Sequence, residues 1–320
     1  MTCYSNFVRH VRCGSTIGTE RNAFLGHGLL LAFLRTYLPL IPWAASTVIA
    51  CAATRALADD PKNEAAERQK LEFITKKLDE FAISTQNAQD QPMKRVKEPV
   101  LRLTNPVRDG QADGAVIVWL SGERPAALAC LWIRNDGGVW REFTSFSDEP
   151  LRCERGGRMV WAPKSSSSPR KPLPDASKPA ATPALRLSQM RRLAERFSGD
   201  FELRPAKRWE ALRLMPQPLY RFTAEKGAVE GAIFALVQAN DPEILVMLEL
   251  GRPAQDAPPT WSYALARMSS QKLRLRLDDK EVWTAEPYWS NPRRLEDPYM
   301  EGPDGKYPGF SNAKPAPKRE

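Results

Sequence analysis

Two stretches of the chain, residues 101–161 and 212–283, carry the same succession of short apolar runs divided by Gly, Asp and Pro. The first reads LRLTNPV, AVIVWL, AALACLWI, VWREFTSF and RMVW. The second reads LRLMPQPLYRF, GAIFALVQ, EILVMLEL, WSYALARM, KLRLRLD and EVW. Runs of this length bounded by turn residues are strand signals. The stretches match point by point: Leu101 with Leu212, Gly114 with Gly231, Pro125 with Pro242, Trp140 with Trp261 and Trp161 with Trp283. The separation grows slowly along the series, as small turn insertions in a second copy would give.

A helical pattern precedes each block. In residues 62–83, Leu71, Ile74, Leu78 and Phe81 recur at spacings of three and four. In residues 184–197, Leu187, Met190, Leu193 and Phe197 do the same. The expected fold class is therefore α+β. It is an internally duplicated helix-plus-antiparallel β-meander unit, with two half-sheets each under one covering helix. The first unit spans residues 59–163 and the second 184–286. Between them, residues 164–183 (KSSSSPRKPLPDASKPAATP) read as a Ser/Pro/Lys linker that buries nothing. Residues 287–320 read as a Pro/Gly-rich tail, partly disordered, with Tyr288 and Trp289 docked on the body.

Residues 1–58 have the order of a secretory signal: a basic n-region with Arg9, Arg12, Arg21 and Arg35, an apolar run over 36–53, then small residues before Asp59. Cleavage is expected between Ala58 and Asp59, giving an exported protein of the periplasm or cell surface. Val48-Ile49-Ala50-Cys51 also resembles a lipobox, in which Cys51 would be lipidated. An uncleaved anchor over residues 29–53 would contain Arg35, Pro39 and Pro42, a poor span. Membrane contact is thus expected only through a retained or lipidated leader.

Both histidines, His10 and His27, lie in this segment. A chain beginning at Asp59 has none, which removes imidazole bases, nucleophile–histidine pairs and His-ligated metals. The formal charge of +9 shrinks when the leader's arginines leave, and the remainder is spread out, so no nucleic-acid partner is expected. No cofactor motif is present.

Cys130 and Cys153 would flank the Trp140 strand of a meander, too far apart to bond, so two separate buried thiols are expected. Trp119, Trp132, Trp140, Trp161, Trp261 and Trp283 read as core anchors rather than a sugar-binding face. Glu123 beside Pro125, and Asp241 and Glu243 around Pro242, could form a carboxylate pair for glycoside hydrolysis, but acids beside prolines at turns are ordinary turn chemistry. Asp278-Asp279, Gly137-Gly138 and Gly156-Gly157 read as turns. Arg274 and Arg276 alternate with Leu273, Leu275 and Leu277, one solvated face against one buried.

The second block, LRLMPQPLYRF with GAIFALVQANDPEILVMLEL, WSYALARM and EVW, resembles a family of uncharacterised exported proteins abundant in planctomycete bacteria. The resemblance covers roughly residues 62–290. It implies export and a bacterial source, and carries no catalytic residue. The expected function is a non-enzymatic binding module of the cell envelope, its partner an envelope protein or glycan. The alternatives are a His-independent hydrolase using carboxylates in a groove between the units, and a structural envelope protein.

Overall fold

The computed structural model describes residues 61–88, 91–103, 113–224, 229–252, 254, 256–290 and 294–310. Ala58, Asp59 and Cys51, with the rest of the leader, lie outside them.

The expected α+β class is not what the chain adopts. Among the described residues the protein is mostly β, half of them in strands and 13% helical, with two α-helices and several antiparallel sheets. Part of the error lies in the helices. α1 (Pro61–Leu78) and α2 (Pro183–Ala194) both stop short of the phenylalanine taken as their last core residue. Phe81 opens strand β1 (Phe81–Thr85) and Phe197 opens β10 (Phe197–Leu203), each buried in a small sheet. α2 starts where its sequence dictates: Thr182 caps the Leu185 N–H and Pro183 occupies the first turn, where no N–H is needed.

The larger error is the meander. Each half divides its strands between two sheets. In the first, β4 (Asp113–Ser121), β5 (Arg124–Ile133) and β6 (Gly138–Ser145) pair in sequence. The short β2 (Lys94–Arg95) and β3 (Leu101–Leu103) lie along the free edge of β4. A separate small sheet joins β1 to β7 (Leu151–Arg155) and β8 (Arg158–Trp161). In the second half, β14 (Val229–Gln238), β15 (Asp241–Gly251) and β16 (Thr260–Arg267) form the large sheet, with β12 (Arg213–Leu214) and β13 (Tyr220–Ala224) along β14. Its small sheet runs in the order β11 (Arg208–Ala211), β10, β17 (Leu273–Leu277), β18 (Lys280–Ala285).

The large-sheet strands are buried on both faces, which explains their near-continuous apolar runs. One face of each builds a central core: Val116, Val118, Leu128 and Cys130 from the first sheet, Ile233, Ala235, Leu245, Met247 and Ala264 from the second. The opposite face of the first sheet (Ile117, Trp119, Leu131, Phe143) packs on α1 and on Ile83, Leu151 and Trp161 of the small sheet. The opposite face of the second (Phe234, Leu236, Val246, Leu248) packs on α2 and on Phe201 and Leu275. The result is four layers enclosing three apolar interfaces. A residue such as Phe234, fully buried, contributes about 2–3 kcal/mol by leaving water.

One matched pair of tryptophans does not correspond. Trp140 lies opposite Trp132, at the rim of the central face, while Trp261 lies in the outer core of the second half. By strand pairing, Ile133 faces Val139 where Leu250 faces Trp261, so Trp261 takes the place of Val139. The sequence match is one residue out of register, and one residue reverses the face in a strand.

The segments read as linker and tail are structural. Edges of β6 and β16 would expose rows of unpaired backbone groups. β9 (Lys171–Pro172), from the segment between the halves, pairs with β16, and its neighbour Leu173 is buried and donates its N–H to Trp261 O at 2.9 Å. Ser168 Oγ accepts the Leu265 N–H at 2.8 Å. From the C-terminal side, β19 (Tyr299–Lys306) pairs with β6 from Tyr299–Thr144 to Lys306–Gly138. Each half is thus closed by the segment that follows the other.

Candidate functional site

The central core is apolar except near β19. There, Glu142 of β6 lies opposite Cys130 on one side and Glu301 of β19 on the other. The Tyr299 hydroxyl stands 2.6 Å from Glu142 Oε2 and 2.9 Å from Glu301 Oε2. All three side chains are buried. A phenol carries one proton, which can lie along only one of these contacts. Were both carboxyls ionised, the other contact would set lone pair against lone pair. A proton on one carboxyl of this triad would let that group donate to the phenol oxygen while the phenol donates to the other.

The surroundings favour keeping that proton. Burial holds the Glu142 carboxyl well above the usual carboxylate range, and the Glu301 charge adds to it. Burial and the Glu142 charge likewise raise the Tyr299 phenol and the Cys130 thiol. Asp241 and Glu243, at the start of β15, are buried and add to the negative potential at Glu142. Arg267 faces the cluster, with its guanidinium 4.8 Å from the Tyr299 ring centroid. It donates to the carbonyls of Ser269 (2.7 Å), Gln271 (2.8 Å) and Glu286 (2.8 Å).

A cavity of about 400 Å³ opens beside this cluster, walled by Arg267, Glu286, Tyr288, Arg294, Asp297 and Tyr299. Tyr288 belongs to a short 3-10 turn, Tyr288–Ser290, and meets Tyr299 edge-on at 5.1 Å. Trp289, 38% exposed, stands edge-on to Tyr288 at 5.2 Å and to Trp140 at 5.9 Å. Trp140 in turn stacks on Trp132 at 6.5 Å and carries the Arg134 guanidinium at 5.4 Å. The cavity wall thus combines two tyrosines with two cations and two acids, and the partly exposed Trp289 packs on Tyr288.

A second, larger cleft of about 590 Å³ lies where the halves meet, lined by Glu123, Arg124, Phe146, Asp148, Glu149, Arg170 and Ala224, among others. Its arginines are already engaged. Arg124 makes a two-pronged contact with Glu249, and Arg170 binds Asp148 at 2.8 Å and Glu249 at 3.3 Å. These contacts tie the halves together.

The residues singled out from sequence divide accordingly. Glu123 lines the cleft, whereas Asp241 and Glu243 face the triad. Asp278-Asp279 form a turn with both φ angles positive, and Arg196 binds Asp278, holding its carboxyl below the usual range. Arg274 and Arg276 both bind Asp200, at 2.7 and 2.8 Å. Cys130 and Cys153 are free buried thiols, in different cores. Trp119, Trp161 and Trp261 are core anchors, while Trp132, Trp140 and Trp283 are only partly covered. Among the described residues no grouping of His, Cys, Asp and Glu suits a metal ion.

Glu142, Tyr299, Glu301 and Arg267 escaped the sequence reading. In VWREFTSF, Arg141 and Glu142 put a charge on each face, so alternation could not show which was buried. Glu243 and Glu249, bracketing the run ILVML, were the more legible signal of buried carboxylates. Compared with known protein families, curated proteins and solved structures, the chain matches none.

Proposed function

We propose that the protein is an exported, non-enzymatic binding module of the bacterial cell envelope, and that its ligand is a glycan taken at the cavity beside Tyr288 and Tyr299. The single observation carrying this reading is the composition of that site: a 400 Å³ cavity whose walls combine two tyrosine rings with Arg267, Arg294, Glu286 and Asp297, beside exposed Trp289. A sugar ring presents an apolar C–H face and a rim of hydroxyls. Aromatic faces match the first, and planar charged groups match the second. The signal-like order of residues 1–58 supports the location.

The hydrolase reading is less well supported. Two carboxyl groups do converge, on Tyr299, but both are buried, and the acids lining the cavity, Glu286 and Asp297, are not part of that triad. A carboxylate pair working on a glycosidic bond must reach it.

The test is titration of the purified protein with a panel of soluble envelope oligosaccharides, alongside Trp289→Ala. Saturable binding is expected, weakened at least about tenfold in the variant, as removal of a stacking ring would give. The variant's melting temperature should stay close to the parent's. Binding indifferent to Trp289→Ala would overturn the assignment, and glycosidic turnover would transfer it to the hydrolase reading. N-terminal sequencing of native protein, expected to begin at Asp59, checks the location.

A further inference from the structure

We propose that five aromatic side chains, Trp132, Trp140, Trp289, Tyr288 and Tyr299, form a relay that carries a one-electron oxidation from the surface indoles to the buried Tyr299 phenol, and so spares Trp289 from irreversible damage. The carrying observation is their continuity. Between ring centroids, Trp132 and Trp140 stack at 6.5 Å, Trp140 meets Trp289 at 5.9 Å, Trp289 meets Tyr288 at 5.2 Å and Tyr288 meets Tyr299 at 5.1 Å. Exposure falls along the last three, from 38% at Trp289 to 8% at Tyr288 and 2% at Tyr299. Indole and phenol are the rings that give up single electrons most readily, and rings this close exchange an electron without an added carrier. In the outer cores, the contacts Phe143–Trp161 and Phe197–Tyr263 each include a phenylalanine, whose ring resists such oxidation. The relay does not depend on which ligand the neighbouring cavity takes.

The direction follows from what each ring can do with its charge. An oxidised indole at Trp140 is a cation 5.4 Å from the Arg134 guanidinium, an unfavourable neighbour. Tyr299 can be oxidised without keeping positive charge, because its hydroxyl lies 2.6 Å from Glu142 Oε2 and 2.9 Å from Glu301 Oε2. A surface oxidant, such as an oxygen-centred radical or a high-valent metal complex, takes one electron from Trp289 and is itself reduced. The hole passes by way of Tyr288 to Tyr299. There the O–H bond breaks, the proton moves to whichever carboxyl is ionised, and a neutral phenoxyl radical remains. Arg267, 4.8 Å from the Tyr299 ring centroid, opposes a cation there but not a neutral radical, so electron and proton leave together. Burial favours the neutral carboxyl that results. A mild reductant such as ascorbate returns the electron along the same rings, and the carboxyl returns the proton. The covered phenoxyl meets neither dioxygen nor a second radical, whereas an oxidised Trp289 left at the surface meets both.

Flash oxidation of the purified whole chain tests this, with photogenerated tris(bipyridine)ruthenium(III) as an oxidant too bulky to enter the core. Electron paramagnetic resonance should show a neutral tyrosyl radical in the parent. Its signal should be lost in Tyr299→Phe, which removes the phenol, and in Tyr288→Phe, which keeps Tyr299 and breaks the path. Tyr288→Phe also serves if Tyr299→Phe fails to fold. In parallel, peptide mass after a fixed dose of oxidant should show little oxygen added to Trp289 in the parent and several-fold more in both variants. Melting temperatures close to the parent's exclude simple loosening of the fold as the cause. No tyrosyl radical in the parent, a signal that persists in either variant, or equal oxidation of Trp289 in all three proteins would each overturn the proposal.

Discussion

The two halves of the protein use the same strand pairings for different ends. Cys153 lies opposite Trp161 across β7 and β8, and Leu275 lies opposite Trp283 across β17 and β18. The connecting turns, Gly156-Gly157 and Asp278-Asp279, both take positive φ at each position, as a two-residue hairpin of the right twist demands. At the start of β4, buried Asp113 binds Lys70 of α1 at 2.7 Å and Arg102 of β3 at 3.5 Å. At the start of β14, buried Glu230 binds Arg186 of α2 at 2.6 Å and Arg221 of β13. The halves part company in the central core. Where Met247 faces Ala264 in the second half, Cys130 faces Glu142 in the first. The second half is closed by two residues of β9, the first by all of β19 with its ionisable fastenings. Apolar pattern and turn chemistry set the shared frame, and the buried ionisable groups of the central core occur where the halves differ.

The largest effect should come from the tryptophans at equivalent pairing positions. Trp161 is fully buried, stacks on Phe143 at 5.4 Å and donates its indole N–H to Asp297 O at 2.9 Å, so it also fastens the approach to β19. Trp283 is only partly covered by its core. Trp161→Ala should cost about 3–5 kcal/mol and Trp283→Ala about 1–2 kcal/mol in denaturant unfolding. Equal costs would mean the two small sheets support the fold alike. Next come the carboxylates. Asp304→Asn leaves three cations without their shared anion and should cost about 3 kcal/mol. Asp200→Asn, whose partners Arg274 and Arg276 lie on the half-exposed face of β17, should cost about 1 kcal/mol.

How much of this could be read from sequence depends on the element. The apolar runs marked nearly every long strand, and the turns at Gly156-Gly157 and Asp278-Asp279 were legible because two-residue hairpins restrict their residues so strongly. The division of each half into two sheets was not. The runs AVIVWL and ILVML were read as strands, yet being apolar on both faces they imply a layer on each side, which one helix per sheet cannot provide. β9 and β19 were missed because an edge strand needs only backbone groups and a few anchors. In YMEGPDGK, Gly and Pro hide the anchors Tyr299, Glu301 and Asp304. The candidate site was illegible for a related reason: its members come from five strands, β5, β6, β15, β16 and β19, and the pairing of β19 with β6 brings Tyr299 and Glu301 to Glu142.

The Cys130–Glu142 and Met247–Ala264 positions can be contrasted through pH. Glu142 is raised above its unfolded value, so the folded state holds the proton more tightly. Its contribution to stability is therefore complete below the unfolded value near 4.5 and is lost as pH rises through the folded value. Stability of the parent should decline on the alkaline side by up to about 1.4 kcal/mol per pH unit over that window. Glu142→Gln should flatten the decline, whereas Ala264→Gly, at the apolar counterpart, should lower the curve without changing its slope. A Glu142→Gln profile as steep as the parent's would show that the proton resides elsewhere in the cluster.

The smallest effect expected is in thiol chemistry, and it separates the central core from the outer one. Burial pushes the Cys153 thiol up to about 12, although Arg141 pulls the other way. Cys130 is also raised, by burial first and then by the Glu142 charge. Neither should react with a disulfide reagent at pH 8 in the native state, since the thiolate is the nucleophile and both sulfurs are covered. Any labelling must follow local opening. β19 is an edge strand on β6, and its fraying would uncover the central face, so Cys130, opposite Glu142, should label faster than Cys153 as pH rises from 8 to 9.5. Glu142→Gln should erase the difference. The ratio of the two labelling rates, read by peptide mass after a timed pulse, is insensitive to reagent reactivity. Cys153 labelling first would place the weakest layer between the first large sheet and its small one, and not at β19.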